Sequence, residues 1–121
     1  MSNHSLYGIT AIGAYISNDS ITYNSNSWTV LPLQPQIYNP INNFLTDTIN
    51  WVKVEGEYIA IGGEKYIIIG NFKDYNNTDT IFLGFNGGDF SYFYIDDVSV
   101  YLCDDLKVAE VAFYSATAAA G

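Results

Sequence analysis

The chain has 121 residues, 49% of them hydrophobic and 17% aromatic, which fits one compact domain and leaves no room for two independent cores. Four lysines, no arginine, 13 acidic residues and one histidine give a formal charge of −9, a field that repels phosphate backbones and anionic lipid and argues against nucleic acid as a partner. A single cysteine, Cys103, makes no intrachain disulfide and no zinc site by itself, and no run reaches the roughly 18 apolar residues that a membrane-inserted helix needs.

Apolar residues at helical spacing are scarce, whereas β-branched and aromatic residues gather in short runs between Gly, Asn, Asp and Pro, so the chain reads as all-β. Met1 to Tyr7 lacks the basic and apolar regions of a secretory signal. Tyr7 to Ile16 is the first expected strand, followed by a polar turn or loop over Ser17 to Ser27. Trp28 to Leu33 reads as a strand cut short by Pro32 and Pro35, and Pro40 closes an extended segment expected at a sheet edge, where a missing amide donor costs least. Asn50 to Val54 and Glu57 to Ile61 read as a strand interrupted at Glu55 and Gly56. A turn at Gly62 and Gly63 then joins it to Tyr66–Ile69, the strongest hairpin signal in the chain. Phe72 to Thr80 is a polar loop, Ile81 to Phe85 a short strand, and Asn86 to Asp89 a tight turn of residues suited to positive φ.

The run from Ser91 to Leu102 carries an informative defect. Phe93 and Ile95 share one parity, while Val98, Val100 and Leu102 have the other. One extra residue at Asp96 and Asp97, a β-bulge, brings both groups to the same face. Lys107 to Tyr114 fits either a strand or a short helix, and the Ala-rich end reads as a linker or expression scar. The expected division is therefore a β-sandwich over 1–103 and a C-terminal strand or tail over 104–121.

Several of these segments, Phe44 to Trp51, Tyr58 to Phe72 and the closing Tyr94-Ile95-Asp96-Asp97-Val98-Ser99-Val100, resemble secreted jelly-roll modules of Bacteroidetes surface and gliding-motility-associated proteins. The closing strand also resembles that of carbohydrate-binding modules with the galactose-binding-like β-sandwich. The resemblance spans roughly Gly8 to Cys103 and implies a jelly roll, an extracellular or cell-surface setting, and a role in binding glycan. In two respects this chain departs from the pattern. No N-terminal Asn-Pro-x-Phe-Glu-like stretch supplies the opening strands, so the sheets close differently or another chain completes them, and the tail is short.

The resemblance further implies a structural Ca²⁺ held by an Asp of the closing strand, here Asp96 or Asp97. Calcium wants about six to eight oxygen ligands, and Glu64, Asp89 or backbone carbonyls would have to replace the missing N-terminal Glu. Against it stands the plain alternative that one Asp is solvated and the other satisfies amides at the bulge. For a sugar, whose apolar face stacks on aromatic rings while Asn, Asp and Gln take its hydroxyls, the candidates are Trp28, Tyr38, Trp51, Tyr75 and Tyr92, all beside polar loops. The competing role for each is core or edge packing, and the Asn71 to Thr80 stretch is equally readable as a solvated loop.

Catalysis finds no support in the pattern. Carboxylates working as acid and base sit ~5 to 9 Å apart across a cleft, whereas Asp96 and Asp97 are neighbours on a strand. His4 lies near an expected frayed terminus, Cys103 has no nearby base and reads as a buried structural thiol, and the Gly pairs lack the Lys and helix of a phosphate cradle. Two functions remain: a non-catalytic carbohydrate-binding module, and a structural or adhesive subunit assembling with copies of itself by strand addition at unpaired sheet edges, with Val108 to Tyr114 as the donor strand.

Overall fold

The computed structural model describes residues 1–23, 30–84, 86–103 and 108–116, and these contain strands and no helix. In chain order the strands are β1 (Tyr7–Ile9), β2 (Gly13–Ser17), β3 (Ile37–Tyr38), β4 (Val52–Ile59), β5 (Tyr66–Gly70), β6 (Thr80–Phe82), β7 (Tyr94–Cys103) and β8 (Val108–Ala116). They pair as a β1-β6 ribbon, a β3-β2-β5 sheet and a β4-β8-β7 sheet, antiparallel throughout.

The core is where the faces of these sheets meet. Ile9, Ile12, Ala14, Ile37 and Leu45 from the first half of the chain pack with Val54, Val111 and Phe113 from the β4-β8-β7 sheet, and Ile16, Val52, Tyr58, Ile69 and Phe93 close the margins. The approach is close at Gly56, where an added Cβ would lie 3.1 Å from Ile37 Cδ1. This contact explains why Glu55-Gly56, expected to interrupt the strand, is instead inside a continuous β4: the missing side chain leaves room for the opposing sheet.

The first expected strand is two. The Ile12 amide donates to the Thr10 carbonyl at 2.9 Å, a sharp corner that sends β1 into the ribbon with β6 and β2 into the sheet with β5. Of the expected strand at Trp28 to Leu33, residues 28 and 29 lie outside the described residues, and 30–33 form no strand. Pro35 has no amide to give, and pairing starts only beyond it: the Gln36 side-chain amide takes the place of a strand residue, accepting from the Ile16 amide and donating to the Ile16 carbonyl at 2.9 Å each. β3 then forms the edge of its sheet just before Pro40.

The Gly62-Gly63 hairpin does not form. β4 pairs with β8 and β5 with β2, so residues 60–65 cross from one sheet to another. Both glycines have positive φ, 96° and 89°, but the bend they permit is wrapped around Glu64. Its carboxylate accepts from the Tyr58 hydroxyl at 2.6 Å and from the amides of Ile61 and Gly62 at 2.6 and 3.0 Å.

The bulge is where parity places it. The register of β7 on β8 slips between Asp96 and Ser99, and Asp97 has φ 51°. Ile95 opposes Ser115 and Val100 opposes Val111, so residues on either side of the slip share the face that carries Phe113 and Val54. The tail alternative resolves to a strand: β8 lies between β4 and β7, with Val111, Ala112 and Phe113 buried. The Ala-rich end at 117–121 lies outside the described residues.

Candidate functional site

The N-terminal segment frames one side of the site. Far from frayed, Met1, Ser2 and Ser5 are buried. The Met1 amine donates to the Asp47 carbonyl at 2.9 Å, and the Ser2 amide to the Tyr92 carbonyl at 2.7 Å. Ser5 Oγ accepts from the Tyr92 amide at 2.8 Å, and the Ser91 hydroxyl donates to the Tyr7 carbonyl at 2.7 Å. These bonds lay residues 86–93 along the start of β1. Gly87 and Gly88, expected at positive φ, do not have it. They are small for another reason: a Cβ on Gly87 would strike the His4 carbonyl, and one on Gly88 the Phe90 ring.

The 71–79 loop frames the other side. Asn71 Nδ2 donates to Thr78 Oγ1 at 3.0 Å while Asn71 Oδ1 accepts from the Lys73 amide at 2.8 Å. Asp74 Oδ1 accepts from both the amide and the side chain of Asn77, at 2.9 and 2.8 Å, and Thr78 Oγ1 donates to the Asp74 carbonyl at 2.7 Å. Side chains that hold their own backbone in this way set a loop's shape without a sheet partner. The Asn71 to Thr80 stretch is exposed to solvent and yet braced by its own side chains.

Between the two walls is an open groove of about 630 Å³. Tyr7, Ile9, Ile12, Phe90 and Phe93 give it apolar surface, and Asn71, Lys73, Thr78, Thr80, Asp89 and Ser91 give it polar groups, with Tyr75 among the lining. Tyr75 is 94% exposed, so its ring is free to be covered. An apolar base with a few polar and charged groups around it is the usual make-up of a small-molecule site. A second open groove of about 340 Å³ is lined by Tyr38, Asn39, Ile41, Leu33 and Phe72, and shares Ile12 and Lys73 with the first.

The aromatic candidates do not form one platform. Tyr75 lines the larger groove and Tyr38, 62% exposed on β3, the smaller. Trp51, 48% exposed ahead of β4, and Tyr92, edge-on to Tyr94 with centroids 5.4 Å apart, line neither. Trp28 lies outside the described residues. Sequence reading missed Tyr7, Phe90 and Phe93, which meet because residues 2–7, leading into β1, are bonded to residues 88–92.

Among the described residues the candidate carboxylates lie apart, save for the adjacent Asp96 and Asp97. Asp96 and Asp97 are exposed at the bulge, with the Asp97 amide donating to Asp96 Oδ1 at 2.8 Å. Among the described residues no third His, Cys, Asp or Glu joins them, nor does any other such group of three occur. Glu64 is engaged in its own loop, and the Tyr58 hydroxyl, then the surrounding amides, hold its carboxyl below the ordinary range. Asp89 faces the groove. As placed, Asp96, Asp97, Glu64 and Asp89 do not share one cluster. Cys103, expected to be buried, is half-buried at the end of β7.

Comparison with protein-family models, with curated proteins and with solved structures returned no match.

Proposed function

We propose that this chain is a non-catalytic binding module for carbohydrate, part of a bacterial surface protein acting outside the cell, and that its sheets are a variant of the galactose-binding-like jelly roll. The observation that carries the reading is the groove between the 71–79 loop and residues 89–93, where Tyr75 stands exposed beside Asn71, Thr78 and Asp89 over Ile12 and Phe93. The residue pattern shared with carbohydrate-binding modules, above all the bulged Asp96-Asp97 strand, supports the same class. A formal charge of −9 favours a neutral glycan over a sulfated or uronic one.

Isothermal titration against a panel of neutral polysaccharides, with calcium and with chelator, tests this reading. Binding to at least one member is expected, insensitive to chelator, and weakened about tenfold by Tyr75→Ala through loss of ring stacking. No heat with any member under either condition refutes it.

One further observation favours a second reading, assembly with copies of itself. Ile95, Val100 and Leu102 share the sheet face of Phe113 and Val111, but Val100 is 55% and Leu102 77% exposed, and β7 is an edge strand. A core-patterned face left uncovered at a free edge suits a second copy. The expected donor, Val108 to Tyr114, lies in β8, which is paired on both sides within this chain, and β4 and β7 are the outer strands of its sheet. Light scattering should then show a dimer or larger species that Leu102→Lys dissociates, and a monomer at all concentrations excludes assembly.

A further inference from the structure

The two grooves adjoin: Ile12 and Lys73 line both, and each is open to solvent. An exposed tyrosine belongs to each half: Tyr38 on β3 and Tyr75 on the 71–79 loop. The smaller half has its own apolar surface in Leu33, Ile41 and Phe72. Its lining also includes Thr10, a residue 1% exposed whose Oγ1 has no hydrogen-bond partner.

A site for a single sugar or a chain end needs one ring platform and a wall that stops the chain. Here a second exposed tyrosine and a second apolar surface lie in the adjoining groove. Resting on the carbohydrate reading above, we infer that the grooves join across Ile12 and Lys73 into one trench that takes an internal stretch of a neutral polysaccharide, with one sugar ring stacked at Tyr75, another at Tyr38, and the linking residues over Ile12. Contacts made at separate points along one chain add as intramolecular events, so affinity grows with ligand length until the trench is full. Lys73 and the polar groups of the 71–79 loop then take sugar hydroxyls at the junction.

Titration with length series of cello-oligosaccharides and manno-oligosaccharides, from one to six units, together with whichever parent polysaccharide binds, reads this directly. Affinity is expected to rise about tenfold or more from the dimer to the longest member. Tyr38→Ala should abolish that rise while leaving the short member unchanged, and Tyr75→Ala should weaken both. Both side chains are exposed, and unchanged melting curves confirm that the variants are folded. Equal affinity for short and long members, or a Tyr38→Ala variant that retains the full rise, overturns the trench while leaving carbohydrate binding intact. Absence of binding to every oligosaccharide and polysaccharide overturns both.

Discussion

Asn39 and Thr10 show the two fates of a polar group taken out of water. Asn39, 3% exposed, donates from Nδ2 to the carbonyls of Thr10 and Asn43 at 3.0 and 2.6 Å, and its Oδ1 accepts from Asn43 at 2.7 Å. Thr10 Oγ1, equally buried, has no hydrogen-bond partner. A buried orphan donor or acceptor costs about 1–3 kcal/mol, and an apolar group of the same shape removes that cost. Thr10→Val is therefore expected to raise stability by about 1 kcal/mol, seen as a higher urea midpoint at unchanged slope, whereas Asn39→Ala should lower it by about 1–3 kcal/mol by removing the partner of the Asn43 carbonyl and side-chain amide. Glu64 adds a pH dependence. Its carboxyl titrates below the usual value near 4.5 in the folded chain, because the Tyr58 hydroxyl and then nearby amides bind the charged form. Its contribution is complete above the usual value and is lost as pH falls through the lower folded one. Glu64→Gln should therefore make acid unfolding, followed by circular dichroism, less steep in that range; an identical acid limb would show that the 60–65 crossover does not depend on the charge.

At the level of elements, the bulge and the crossover explain what local sequence carries. The bulge was legible because parity is a property of the strand itself: Ile95 and Val100 cannot share a face without an extra residue between them, and Asp97 takes it at φ 51°. The Tyr66–Ile69 strand was legible from its β-branched run, and the edge position of Ile37–Tyr38 from the prolines around it. Partner choice was not. A Gly-Gly pair allows a tight hairpin and a sheet-to-sheet crossover equally, and the decision lies with β2 and β8, both remote in sequence from the turn. The groove was illegible for the same reason, since Tyr7, Asn71 and Phe93 carry no mutual spacing and meet only through β1 and the Ser5 and Ser91 bonds. Gly56 was misread because a strand glycine reads as a break until its neighbour is known. With Ile37 Cδ1 3.1 Å and Cγ2 3.2 Å from an added Cβ, Gly56→Ala should destabilise by about 1–3 kcal/mol through overpacking, and Gly56→Ala combined with Ile37→Val should recover part of that loss in thermal melts.

Across the whole molecule, β8 joins the parts. It supplies both ladders of its sheet, and Phe113 is fully buried in the core cluster that also holds residues of β2, β3 and β4. Removing 107–121 is therefore not a trimming of a loose end: it leaves β4 and β7 unpaired and opens the core. The shortened chain should lose cooperative thermal unfolding and bind a hydrophobic dye, and Phe113→Ala alone should cost about 3–5 kcal/mol. The order of strands in that sheet also bears on biogenesis. Because the middle strand is the last of the three to leave the ribosome, β4 and β7 emerge with no template to zip onto, and the nascent chain must keep two aggregation-prone ribbons apart until the keystone arrives.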